Sequence, residues 1–128
     1  MFSKTTDNIR VSVLPNYDEK NSNPSENRFL FKYFINIENF SQVSIKILKR
    51  SWTIYDVGYG FSEVGGNGVI GLTPTIKPLE DFAYFSNVFL RSGMGHMQGT
   101  YVIEDLESGE VRTIEIPKFY LMATLLSN

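Results

Sequence analysis

Apolar residues recur at every second position along most of this chain. Ile9, Val11 and Val13 alternate with Arg10 and Ser12, which predicts a short strand ending at Pro15. Asn16 to Asn27 is almost free of apolar residues and reads as a loop. The clearest strand follows, with Phe29, Phe31, Tyr33, Ile35 and Ile37 on one face and Lys32, Asn36 and Glu38 between them. The next strand places Val43, Ile45 and Ile47 on odd positions and Trp52 and Ile54 on even ones. One inserted residue restores both halves to a single face, so the parity change predicts a β-bulge within Leu48 to Ser51. Phe61 to Val64 predicts a short strand before Gly65-Gly66-Asn67-Gly68. Asp81 to Leu90 is apolar in both registers, as in a strand covered on both sides. Met97 to Glu104 and Val111 to Ile116 predict two further strands joined through Ser108-Gly109, the second ended by Pro117. Phe119 to Leu126 is apolar enough to dock on the body. Residues 1–8 are polar and are expected to be flexible, leaving one domain over 9–128.

No segment carries a helical period. About seven or eight strands separated by turn residues predict an all-β fold, an immunoglobulin/fibronectin type III-like β-sandwich of antiparallel strands. Composition agrees: 128 residues suit one core, and ten Phe, seven Tyr and one Trp favour pleated sheet. A net charge of −2 supplies no basic field for nucleic acid. Without cysteine there are no disulfides, thiolate metal sites or cysteine nucleophiles. No apolar run reaches the length of a membrane span and MFSKTTDNIR lacks an apolar signal core, so a cytoplasmic location is expected.

Gly66-Asn67-Gly68-Val69-Ile70-Gly71 matches GxGxxG, with Pro74 behind it. Around it stand Ser22-x-Pro24, Phe31-x-Tyr33-x-Ile35-x-Ile37-x-Asn39, Arg50-x-Trp52, Met97-x-Gly99-x-Tyr101 and Ile116-Pro117-x-Phe119. This collinear set, from Ile9 to Leu121, resembles the ApaG family of small bacterial proteins, whose domain also occurs in eukaryotic F-box proteins. The resemblance implies a fibronectin-like sandwich. It also implies either a protein-interaction module or an association with cobalt and magnesium efflux, the label many bacterial members carry. The chain departs from the family at Leu72, where an acidic residue is usual, and at Pro78-Leu79-Glu80, where Pro-Gly-Glu is usual.

The glycine motif does not read as a dinucleotide site, because Thr73, Pro74 and Pro78 cannot continue as the required helix. Two readings stay open. The amides around Gly66, Gly68 and Gly71, helped by Arg50, can form an anion nest for a phosphate or pyrophosphate group of a small molecule or nucleotide. Alternatively the glycines only let the chain turn tightly. Tyr55, Tyr59 and Phe61 are candidates for a patch that binds an unidentified protein partner. His96, the only histidine, lacks a second histidine or cysteine to make a transition-metal site, and Asp81, Glu104 and Asp105 are partners by chemistry alone. It is expected in a loop or at a strand end with an ordinary hydrogen bond. Ser86 and Ser92 have no nucleophile elbow, and the acids around the last hairpin suit solvent. The expectation is a non-catalytic binding module with no cofactor, metal, nucleic acid or membrane, in which an exposed strand edge can pair two copies.

Overall fold

The computed structural model describes residues 1–123. The strands are β1 Phe2–Thr6, β2 Ile9–Tyr17, β3 Phe29–Asn39, β4 Ile45–Asp56, β5 Gly60–Asn67, β6 Thr75–Ile76, β7 Asp81–Leu90, β8 Met94–Asp105 and β9 Val111–Met122. One antiparallel sheet has the order β1-β2-β3-β7, and the other β5-β4-β8-β9 with β6 beside β4. The two form the expected sandwich, with nine strands among the described residues against the seven or eight expected.

The alternation of β3 is realised as read: Phe29, Phe31, Tyr33, Ile35 and Ile37 are all buried. They meet Ile45, Ile47, Ile103 and Ile114 of the facing sheet in one core. The bulge in β4 is also present. Ile47 pairs with Ile103 but Lys49 with Val102, so Leu48 is the extra residue and Trp52 and Ile54 return to the core face. Trp52 is 4% exposed and packs edge-on against Tyr33 at 5.6 Å and Phe119 at 5.9 Å. At the β3–β4 turn, buried Asn39 donates through Nδ2 to the carbonyls of Val43 (2.8 Å) and Ile76 (2.9 Å). Its Oδ1 accepts from the Ser41 amide at 2.9 Å, so the amide group is satisfied on both sides.

Four expectations are corrected. Residues 1–8 are not a flexible tail: β1 pairs with β2 through a tight turn at Asp7-Asn8, where both residues have positive φ (50° and 65°), as a two-residue hairpin requires. Its anchor is Phe2, which packs against Phe119 and Tyr120. Pro15 does not end β2, which runs on to Tyr17. Pairing with β1 stops at Val13, so at Pro15 the strand has a neighbour on one side only, where proline is tolerated. Pro117 does not end β9 either. It lies in an edge strand at a register shift, two residues opposing Gln98 alone, and a bulge tolerates the missing N–H. Finally, β7 is covered on one side only. Tyr84 and Leu90 are buried, but Phe85 is 71% exposed on the outer face, shielded in part by Phe34 at 5.0 Å.

The C-terminal docking expected for Phe119 to Leu126 holds for Phe119, Leu121 and Ala123, which are buried; residues 124–128 lie outside the described residues. β9 packs against β1 and β2 and closes one side of the sandwich. On the other side the edge strands β5 and β7 stand apart, and the seam between them is open.

Candidate functional site

The bulge at Leu48 determines which way Arg50 points. With Trp52 and Ile54 facing the core, Arg50 shares their parity and faces inward, between Gly66 on β5 and the buried Tyr101 on β8. Gly66 makes room for it: a Cβ there would come within 3.0 Å of Arg50 Nη2. Arg50 Nη1 donates to the carbonyls of Asn67 (2.9 Å) and Gly68 (3.1 Å). The side chain is therefore held in place without a carboxylate; among the described residues no acidic group pairs with it.

Arg50 stands in a cavity of about 260 Å³ in the open seam. Tyr33, Trp52, Ile54, Tyr84 and Met97 form the buried part of its wall, while Val64 and Ile70 border it from the β5 side and Ser86, Asn87 and Val88 from β7. The Tyr84 and Tyr101 hydroxyls hydrogen-bond to each other in the interior. Burial pushes the pKa of both well above the ordinary tyrosine value, against the opposing pull of Arg50, so neither ionises near neutral pH.

The glycine motif builds the β5 flank. Gly68 has φ +60° and its amide donates at 2.7 Å to the carbonyl of Leu48, which locks the loop onto the bulge. Val69 and Leu72 exchange hydrogen bonds of 2.8 Å around Ile70-Gly71, a two-residue turn with φ +43° and +76°. The amides of Gly68, Val69 and Leu72 thus already donate to the chain's own carbonyls and do not converge as a nest. Arg50 and the glycines are brought together as expected, but with the arginine as the donor.

Such a turn favours Asn-Gly, and a β-branched residue there is strained. Ile70 is 54% exposed, so little burial offsets that strain. Ile70→Asn is expected to raise unfolding free energy by about 1 kcal/mol, measured by urea denaturation; an unchanged or lower midpoint would contradict the strain.

Of the three aromatic candidates, the structure joins two. Tyr55 and Phe61 are register partners with ring centroids 4.6 Å apart on the outer face of the five-stranded sheet. Tyr59 lies elsewhere, under the Arg91 guanidinium at 5.3 Å. The row beginning with Phe61 and Tyr55 continues through His96, stacked on Tyr55 at 5.1 Å, to Tyr120. His96 lies in β8, two residues from its start and paired on both sides, and in place of an ordinary hydrogen bond its Nδ1 is buried without a partner. Among the described residues no three His, Asp or Glu side chains could hold a metal ion. Ser92 donates to Asp56, whose carboxylate also accepts the Arg91 amide at 2.7 Å.

Desolvation, with Lys118 nearby, lowers the His96 pKa below the usual 6.5. The unfolded chain takes up this proton first, so stability is complete above 6.5 and declines as pH falls below it, levelling once the folded form is protonated too. The urea midpoint should therefore be lower at about pH 5.5 than at about pH 7.5, and less so in His96→Gln. Equal pH dependence in both proteins would remove His96 as the cause.

Tyr84, Asn87 and Ile70 were not assigned to the site by sequence reasoning, and Ser86 was weighed only as a nucleophile. The inward placement of Arg50 had a signal, since it has the parity of Trp52, and so did Ser86, a polar residue on the face of β7 that carries Tyr84.

A family model, that of the ApaG domain, matches residues 19–105. Protein ApaG of Shewanella sediminis is 41% identical over 115 residues, covering 90% of each chain. Protein ApaG of Paramagnetospirillum magneticum is 38% identical over 121 residues, covering 94% of this chain and 92% of its own. A crystal structure described as an ApaA protein of Bordetella pertussis is 34% identical and superimposes with a TM-score of 0.87, covering 91% of this chain and 94% of its own.

Proposed function

The chain belongs to the ApaG domain family, and on that premise we propose that it is a non-catalytic, cytoplasmic protein-binding module whose partner seats across the rim of the β5–β7 seam. The observation that carries this reading is the concentration of exposed apolar side chains there. Val64, Ile70 and Leu72 are exposed on the β5 flank and the glycine loop, with Phe61 (68% exposed) on the outer face of β5, and Phe85 is exposed on the outer face of β7, the strand that borders the seam opposite. Exposed apolar side chains on both strands that border one groove favour it as the place where a partner binds. The groove's tyrosine hydroxyls stay protonated, and the one histidine lies outside it in the Tyr55 row, which leaves the groove no evident general base.

A charge placed on the rim tests it. Val64→Glu combined with Phe85→Glu should abolish retention of the partner captured by the wild-type protein from a lysate of the source organism, with the circular-dichroism melt retained. Val111→Glu, at an exposed site on β9, should retain it. Loss with Val111→Glu and retention with the rim variant would move the binding surface to the opposite edge.

A further inference from the structure

We propose that the Arg50 cavity is a binding site for a single carboxylate carried on a small apolar body, independent of any protein partner at the rim. Arg50 Nη1 is occupied by the carbonyls of Asn67 and Gly68. The other edge, Nε with Nη2, makes no hydrogen bond among the described residues. Neither nitrogen is among the buried polar atoms without a partner, so this edge reaches solvent.

Nε with Nη2 is the fork that matches the two oxygens of a carboxylate. The protein uses the same fork elsewhere: Arg10 Nε donates to Glu38 Oε1 at 2.9 Å and Arg10 Nη2 to Glu38 Oε2 at 3.1 Å. At Arg50 the fork is preset, because the carbonyls and Gly66 fix the guanidinium before any ligand arrives, which lowers the entropy cost of binding.

The rest of the cavity selects the remainder of the ligand. Among the described residues Arg50 is its only cation, and no acidic side chain lines it. One negative charge is therefore matched, whereas a doubly charged phosphate would be left partly uncompensated. Trp52, Ile54, Val64, Val88 and Met97 offer apolar surface, and Ser86 and Asn87 can accept or donate one further hydrogen bond. The volume, about 260 Å³, lies just under the range of drug-sized pockets, about 300–1,000 Å³. It suits one ring or branched chain. The carboxylate can come from a free organic acid or from the C-terminus of a peptide ending in an apolar residue.

The test is a nitrogen–proton correlation titration of the full chain with phenylacetate, its neutral counterpart phenylacetamide, inorganic phosphate, and a peptide ending in phenylalanine. Phenylacetate should shift the Trp52 indole and the amides of Ser86, Asn87 and Gly66 in a saturable way, with affinity at least about tenfold above phenylacetamide and phosphate. Arg50→Gln should remove that preference, and the phenylacetamide comparison keeps the result independent of how that variant folds. The phenylalanine peptide binding tighter than phenylacetate would name a chain terminus as the source, and the reverse a free acid. Absence of saturable shifts at these residues, or equal binding of phenylacetamide or phosphate, would overturn the site. Failure here leaves the protein-partner reading standing, since that reading is tested by retention of a captured protein, with Phe85 outside the cavity, and not by binding of these probes.

Discussion

Trp52→Ala is expected to lower the unfolding free energy by about 3–5 kcal/mol. The indole is buried between the sheets and touches Tyr33 on one and Phe119 on the other, so truncation removes both aromatic contacts and leaves a void that neither ring can fill without leaving its strand. The groove adjoins this position, so partial collapse would draw the Arg50 cavity inward instead of restoring the lost packing. Domains of this size have about 5–15 kcal/mol in all, so the variant should be marginal at ambient temperature. Urea unfolding followed by far-ultraviolet circular dichroism measures it, since the only tryptophan is gone. A loss below about 1 kcal/mol would mean that Trp52 does not hold the sheets together.

The second large effect separates two glycines of one motif. A Cβ at Gly68 would lie 1.9 Å from the Leu72 carbonyl oxygen, and φ is +60°. Both the clash and the left-handed backbone oppose a side chain, so Gly68→Ala should cost at least about 2 kcal/mol. At Gly71, φ is +76° but nothing lies within 4 Å, so Gly71→Ala should cost only about 1 kcal/mol. The difference in urea midpoints isolates close approach from backbone strain. Equal losses would mean that the loop relaxes freely at Gly68 and does not lock onto Leu48.

The core was legible because alternation survives in β3, β4 and β8, and the bulge at Leu48 was legible because it left a parity change in the sequence. What failed has a common cause. Pro15 and Pro117 were read as stops, yet each sits where its strand has a free side or a bulge, which depends on strand order and is not a local property. β1 escaped because Phe2 is its one apolar residue, although Asp7-Asn8 carried a usable hairpin signal. The apolar outer face of β7 looked like a covered strand, since sequence cannot tell a buried phenylalanine from Phe85, which is exposed. For the site, the sequence united Arg50 with the glycines and left open whether they hold an anion or only turn the chain; the amides of Gly68, Val69 and Leu72 are spent on the chain's own carbonyls, and Arg50 donates to the loop. Only the pairing of Gly66 with Arg50 shows that the missing side chain is a berth for the guanidinium.

The most direct test of the seam as the binding surface is photocrosslinking in the source organism with benzoylphenylalanine placed singly at Val64, Ile70, Phe85 and, as a control, Val111. The account predicts one shared adduct from Val64, Ile70 and Phe85, on both flanks of the seam, and none from Val111. An adduct confined to Val111, or none from the three rim positions while wild-type protein still captures its partner, would contradict it.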